Sequence, residues 1–263
     1  MNRQIVNGTY ISYQDQGRGL PVVLLHGYPL DSRLWQYQLA DLSSDFRVIA
    51  PDLRGFGQSV GGGEFSMESQ ADDVHALANA LELGKFVLAG LSMGGYITLA
   101  YCRKYPSTLR GVGLIDTRAE GDTSEGKKNR DKAIELVGQK GSKGIADQML
   151  PKLLAPETIN HRPQLATAVR QMCEQCSPQT IATALAAMRD RVDQTEFLPS
   201  LTEPTLIIVG DQDAITPPAI ADSMHKAIPN SQLVVIRGAG HLAPLEQPQQ
   251  VNRALRSFLG NNL

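Results

Sequence analysis

Short runs rich in valine, isoleucine and leucine recur along the chain, each bounded by glycine, proline or aspartate. They are YISYQ (10–14), VVLLH (22–26), RVIAP (47–51), KFVLAG (85–90), GVGLID (111–116), TLIIVG (205–210) and LVVIRG (233–238). Most are continuously apolar rather than alternating, the pattern of strands buried on both faces of a parallel sheet. The first follows Asn7–Gly8, a two-residue hairpin signal that predicts an antiparallel edge. Helical periodicity fills the intervals. Residues 66–83 open with Ser66 as N-cap, place Val74, Leu77, Ala78 and Leu81 on one face and stop at Gly84. Residues 93–105 end at Pro106, Thr216 and Pro217 read as N-cap and first helical position of a helix over 217–227, and a last helix is expected over 248–259. Strands alternating with helices predict an α/β fold with a mostly parallel, doubly wound sheet.

One stretch breaks the alternation. Residues 118–198 hold no convincing strand but show helical patterns near 127–138, 143–154, 161–173 and 178–190. This is too long for a simple connection between two strands. It predicts a helical cap, or lid, inserted between a first core part (1–117) and a second (199–263), because α/β proteins bind ligands over the carboxyl ends of their strands.

Composition narrows the class. Of 263 residues, 42% are hydrophobic and 20% charged, ordinary values for a globular chain that builds its own core. A net charge of −2 without a polybasic run points to neither nucleic acid nor an anionic membrane as partner. No run approaches 18 apolar residues, and MNRQIVNGTYISYQDQG lacks the apolar stretch of a signal peptide. Three cysteines do not make a disulfide framework, so the expectation is a reduced, cytoplasmic protein. Cys173 and Cys176 form a C-x-x-C, but inside a helical pattern and with only His161 as a nearby further ligand. They read as free, partly buried thiols rather than a zinc or redox site.

The candidate chemistry lies in the pattern Gly-x-Ser-x-Gly, which occurs twice: Gly57–Ser59–Gly61 and Gly90–Ser92–Gly94. A nucleophilic serine of this kind needs a strand, a sharp turn and then a helix, which lift the hydroxyl above the sheet. KFVLAG runs directly into Ser92 and MGGYITLAYCRKY leaves it as a helix, whereas Ser59 sits in a glycine-rich loop. Ser92 is the candidate. A serine hydroxyl needs a base, and the base needs an orienting group. Of five histidines, His75 and His225 lie within helices, His161 lies in the insertion, and His26 ends a strand in HGYP, where a structural role fits. His241, in IRGAGHLAPLEQP after the last strand, emerges on the same side of the sheet as the Ser92 turn and is the candidate base. Asp116, Asp211 and Asp213 all stand at carboxyl ends of strands, and the chain order Ser, Asp, His admits each of them. Arg54 and Asp31 read as loop salt bridge and turn cap, Trp35 as core, and the methionines show no metal-binding pattern.

Taken together, LLHGYPLDSRLW, VIAPDLRGFGQS, AGLSMGGY, LIIVGDQDAITPP and VVIRGAGHLAPLEQPQQV resemble the α/β-hydrolase fold superfamily over everything except the insertion. In wording and size the motifs are most similar to the small bacterial serine esterases grouped with cofactor-free haloperoxidases (perhydrolases) and enol-lactonases. Serine at position 92 sets the chain apart from haloalkane dehalogenases and epoxide hydrolases, which carry an aspartate nucleophile. The resemblance implies Asp213 as the acid, with Asp211 shaping its loop. It implies an oxyanion hole from the backbone N–H groups of Tyr28 and Met93, the latter at a helix N-terminus whose dipole favours negative charge. It further implies hydrolysis of a small ester or lactone through an acyl-enzyme, with neither metal nor organic cofactor. Its alternatives are carbon–carbon bond hydrolysis or perhydrolysis on the same triad, a ligand-binding protein with little turnover, or an interaction module using the helical insertion. The insertion matches no motif, so the resemblance carries over no particular substrate.

Overall fold

The computed structural model describes residues 1–261. Its sheet has eight strands: β1 (Asn2–Val6), β2 (Thr9–Gln16), β3 (Pro21–Leu25), β4 (Arg47–Pro51), β5 (Phe86–Leu91), β6 (Leu109–Ile115), β7 (Thr205–Gly210) and β8 (Ser231–Ile236). Their spatial order is β1-β2-β4-β3-β5-β6-β7-β8. β1 pairs antiparallel with β2 and β2 with β4, and every later pairing is parallel. The edge hairpin turns at Asn7 and Gly8, both at positive φ (45° and 75°), the conformation a two-residue primed turn requires.

The helices are α1 (Gln36–Leu42), α2 (Met67–Ala80), α3 (Met93–Lys104), α4 (Ser124–Leu153), α5 (Pro156–His161), α6 (Pro163–Gln175), α7 (Pro178–Asp190), α8 (Pro218–Ala227), α9 (Ala243–Glu246) and α10 (Pro248–Asn261). Strand alternation sorts the apolar residues into two cores. Val22, Leu24, Val87 and Ala89 join Leu39 and Leu42 of α1 and Val251 and Leu255 of α10 on one face. Val23, Leu25, Phe86 and Leu88 join Val74 of α2, Ile97 of α3 and Met224 of α8 on the other. Burying each such side chain contributes roughly 1.5–3 kcal/mol, so continuous apolar strands are what a sheet covered on both sides demands.

Local boundaries differ from the sequence expectation in three places, each for a stated reason. α2 begins as predicted, with Ser66 Oγ accepting from Ser69 N (3.0 Å) and Ser69 Oγ accepting from Ser66 N (2.8 Å). It ends at Ala80, because Glu82 and Gly84 both take positive φ. α4 joins the two helices expected over 127–138 and 143–154 into one broken element, bent at Gly141 (φ 64°, ψ −166°). Thr216 does not cap α8; Pro217 holds that position, and the Thr216 hydroxyl is committed to Asp213 instead.

Between β6 and β7 the described chain carries α4–α7 and no strand. This helical layer is seated on loops that leave the carboxyl ends of the sheet. Thr180 Oγ1 on α7 donates to Gly55 O (3.0 Å) after β4, and Arg162 Nη1 donates to Glu246 O (2.7 Å) after β8. Among the described residues no helix is long and apolar enough to cross a membrane. Cys102, Cys173 and Cys176 are free and buried, and burial pushes the Cys173 and Cys176 thiols up to about 12.

Candidate active site

Ser92 occupies the single residue between β5 and α3, at φ 54° and ψ −114°. A non-glycine residue at positive φ is costly and persists only where its surroundings over-determine it. Here they do. Ser92 N donates to Ile115 O (3.0 Å), while Ser92 O accepts from Gly95 N (2.9 Å) and Thr117 Oγ1 (2.8 Å). The two motif glycines are sterically required. A Cβ at Gly90 would lie 2.1 Å from Gly94 O, and one at Gly94 would lie 2.4 Å from Leu25 O. Strand β5, the elbow and α3 therefore cross with no room for a side chain, and the Ser92 hydroxyl is left partly exposed above the sheet. Ser59 is used differently. Its hydroxyl accepts from Ser12 N (2.8 Å) and donates to Asp52 O (2.6 Å), stapling the loop after β4 to the edge strand.

His241 follows β8 and is 2% exposed. Its Nδ1 lies 2.8 Å from Asp213 Oδ2. Asp213 is itself buried at the end of β7 and collects further donors: Ile215 N (2.8 Å) and Thr216 N (2.9 Å) on Oδ1, and Thr216 Oγ1 (2.6 Å) on Oδ2. Burial alone would raise the Asp213 carboxyl, but the charge of His241 and the hydrogen bonds from His241 and Thr216 outweigh it and hold the group to about 2. An ionised Asp213 accepts only, so Nδ1 is the donor of that bond, and in the neutral form of the ring the other nitrogen, Nε2, is an acceptor. Among the described residues the Ser92 hydroxyl makes no hydrogen bond, so the structure pairs Asp213 with His241 and leaves the Ser92 hydroxyl unpaired. Catalytic contacts often tighten only when substrate is present.

The other two aspartates do different work. Asp211 Oδ1 accepts from Gly238 N (2.8 Å) and Ala239 N (3.3 Å), tying the end of β7 to the His241 loop. Asp116 Oδ1 accepts from Gly210 N (2.8 Å), and burial together with the nearby Asp213 charge raises its carboxyl well above the ordinary range. Only Asp213 reaches His241.

Tyr28 and Met93 flank the elbow. Met93 is the first residue of α3, where the helix offers its N–H no acceptor. A Cβ at Gly27 would lie 2.9 Å from Leu91 Cδ2 and 3.2 Å from Ser92 Cβ, so the chain leading into Tyr28 runs against the elbow itself. His26 holds this loop, with Nδ1 against Gly27 O (3.0 Å) and Nε2 accepting from Leu53 N (3.0 Å). Burial lowers the His26 pKa, which keeps the ring neutral and suits that double role.

The remaining singled-out residues lie in structural roles. Arg54 pairs bidentately with Asp73 (2.6 and 2.7 Å), Asp31 Oδ1 accepts from Arg33 N (3.0 Å) at a helix start, and Trp35 is fully buried. His75 stacks on Tyr105, His225 bonds Ser231 and His161 bonds Glu157 O. Among the described residues no group of three or more His, Cys, Asp or Glu could hold a metal ion.

Sequence reasoning passed over two supports. Thr216 buttresses Asp213, and Glu246 accepts from Gly240 N (2.8 Å) and Ala155 N (2.8 Å), fixing the residue before His241 against the start of α5. The signal for Glu246 was a lone carboxylate in the apolar run HLAPLEQP, since a charge buried there needs partners.

Both the sequence and the fold match known proteins. A model of the alpha/beta hydrolase family matches residues 22–254. A putative non-heme chloroperoxidase of Synechocystis is 34% identical over 260 residues, covering 95% of this chain and 94% of the relative. A 3-oxoadipate enol-lactonase of Acinetobacter baylyi is 28% identical over 263 residues, covering 98% and 95%. The structure of a thermophilic esterase from Thermogutta terrifontis, solved with malate bound, superposes with a TM-score of 0.95 at 44% identity and covers 98% of both chains. With the sheet order, the strained serine between β5 and α3 and a family match spanning both core parts, the chain belongs to the alpha/beta hydrolase family.

Proposed function

We propose that this protein is a serine hydrolase that cleaves a small carboxylic ester or lactone through an acyl-enzyme on Ser92, His241 and Asp213. The observation that carries the reading is the buried 2.8 Å contact between His241 Nδ1 and Asp213 Oδ2, on loops leaving the same end of the sheet as the Ser92 elbow. The esterase and enol-lactonase relatives support the substrate class.

In this scheme Ser92 Oγ attacks the carbonyl carbon while its proton passes to His241 Nε2. The carbonyl electron pair moves onto oxygen, facing the N–H groups of Tyr28 and Met93, and each such donor contributes about 3 kcal/mol to the transition state. Asp213 holds the imidazole in its tautomer and stabilises the imidazolium. Collapse breaks the bond to the alcohol oxygen, which leaves with the proton from His241. Water, deprotonated by His241, then attacks the acyl carbon, regenerating the Ser92 hydroxyl and releasing the acid. Every step uses a group of this chain.

Residues 118–198 form the cap of this site, between core parts 1–117 and 199–263. The contacts of Thr180 with Gly55 and of Arg162 and Ala155 with Glu246 support that placement. The three free cysteines support a reducing, cytoplasmic setting.

The Synechocystis relative favours one second reading, in which hydrogen peroxide replaces water at the acyl-enzyme and a peracid is released. Adding peroxide in acetate and following bromide oxidation separates it from simple hydrolysis. The test of the main reading is stoichiometric phosphorylation by diethyl p-nitrophenyl phosphate, with the tag mapped by mass spectrometry. One p-nitrophenolate per chain and a tag on Ser92 are expected; a tag on Ser59, or none on folded protein, overturns it.

A further inference from the structure

A polar layer lies between α3 and the α4–α7 helices. Tyr96 stands one turn beyond Ser92, and the Arg191 guanidinium covers its ring, with Cζ 4.2 Å from the centroid. Arg191 Nη1 donates to Asp122 Oδ1 (2.7 Å), and Asp122 Oδ2 accepts from Arg130 Nε (3.0 Å). One carboxylate thus holds two guanidiniums, which fixes Arg130 of α4 beside the one that stacks on Tyr96.

The two arginines are used very differently. Arg191 Nη1 also donates to Met188 O (2.7 Å) and Nη2 to Glu120 O (2.6 Å), while its Nε is buried without a partner. Arg130 uses only Nε. Its four Nη–H donors have no acceptor among the described residues, although its side chain is only 24% exposed. The same neighbourhood holds two phenols. The Tyr28 hydroxyl is buried without a partner, and the Tyr96 hydroxyl makes no hydrogen bond among the described residues. Burial raises the Tyr28 phenol while the Arg130 charge acts against that rise, so it remains a protonated donor near a cation. Tyr28 also supplies the backbone N–H proposed for the oxyanion hole, which places the group at the reacting centre.

One carboxylate serves two guanidiniums here, and the buried acceptor left without a partner nearby, Glu120 Oε2, takes none of the Arg130 Nη–H groups. Of these donors only the Tyr28 hydroxyl is fully buried and unpaired, which is costly, and the free guanidinium fork of Arg130 matches the two oxygens of a carboxylate. We propose that Arg130, with the Tyr28 and Tyr96 hydroxyls, forms a carboxylate-binding subsite beside Ser92, and that the preferred substrate is an ester that itself carries a carboxylate. This rests on the serine hydrolase reading above.

Two matched substrate pairs test it. Mono-p-nitrophenyl glutarate against its methyl ester places the charge on the acyl part, and acetoxyacetate against its methyl amide places it on the alcohol part. The wild type is expected to favour the anionic member of one pair by about 10- to 100-fold in kcat/KM, the range of charge-assisted hydrogen bonds, and the pair that responds identifies the side. Arg130→Gln should lower that ratio about tenfold or more, Arg130→Lys should restore part of it, and Tyr28→Phe, which deletes only an unpartnered hydroxyl, should lower it about threefold. Because each readout is a ratio between two substrates, a loss of folded protein cancels. Anionic preference absent from both pairs, or unchanged in Arg130→Gln, overturns the subsite and leaves Arg130 as an ion-pair partner of Asp122. Should no ester be cleaved at all, the hydrolase reading falls separately. Calorimetric binding of glutarate then decides the subsite: binding lost in Arg130→Gln keeps it, and no binding to wild type removes it.

Discussion

Replacing Asp213 by Asn changes one atom and removes the charge, and the structure says what that atom would do. Asp213 Oδ1 accepts from two backbone N–H groups, those of Ile215 and Thr216, while Oδ2 faces His241 Nδ1 and the Thr216 hydroxyl. An asparagine has one accepting oxygen, and the two immovable backbone donors will claim it. Its NH2 then faces His241, so the imidazole must accept at Nδ1 and carry its proton on Nε2. In that tautomer it cannot take a proton from Ser92. The cost expected is about 10⁴-fold in kcat, as for the same change in other serine triads, or about 5 kcal/mol at 1.36 kcal/mol per decade. Steady-state hydrolysis of p-nitrophenyl butyrate measures it, with thermal unfolding and circular dichroism run alongside. A folded Asp213→Asn enzyme within about tenfold of wild type would refute the reasoning. So would an equal loss in Asp211→Asn or Asp116→Asn, neither of which touches His241.

Three further outcomes follow from the geometry. The Asp213 carboxyl is held to about 2 against 3.8 for the free side chain, a lowered folded-state value. Its stabilisation is therefore complete above about pH 4 and lost as pH falls through about 2, and acid unfolding of Asp213→Asn should lack that slope over this window. Ser59→Ala should cost about 1–3 kcal/mol in chemical denaturation, because Ser12 N loses a buried acceptor, while kcat stays within about threefold since the hydroxyl is no nucleophile. Gly94→Ala should yield little folded protein on expression, because its Cβ would meet Leu25 O at 2.4 Å and β3 cannot retreat from the middle of the sheet; a normally folded and active Gly94→Ala would show that the elbow is looser than drawn.

The sheet was legible because strands buried on both faces must be apolar throughout, and VVLLH, KFVLAG and TLIIVG have no other stable use in a chain of this class. The Ser92 elbow was legible for a related reason: two glycines around one serine, between a strand and a helix, solve a crossing that leaves no room for Cβ atoms. What stayed hidden was long-range. Asp116, Asp211 and Asp213 share a position relative to their strands, and only the fold of the β7–α8 loop turns one of them onto His241. Thr216 looked like a helix cap because a threonine before Pro217 usually is one, yet its hydroxyl is drawn to the buried carboxylate instead. Gly141 fell between the helical patterns expected over 127–138 and 143–154, with no sign that the two would join or which way the chain would bend there. Arg130, Asp122 and Arg191 belong to no motif in the sequence, and only the folding of the insertion brings them together at Tyr96.

Whether Ser92 is the nucleophile is decided by hydrolysis of p-nitrophenyl acetate, butyrate and octanoate by wild type and by Ser92→Ala. Turnover by the wild type and a fall in kcat of about 10⁵- to 10⁶-fold in the variant are expected, with the chain-length trend sizing the acyl pocket. Equal turnover by the folded Ser92→Ala protein, or a folded wild type inert on all three, would contradict the serine hydrolase reading.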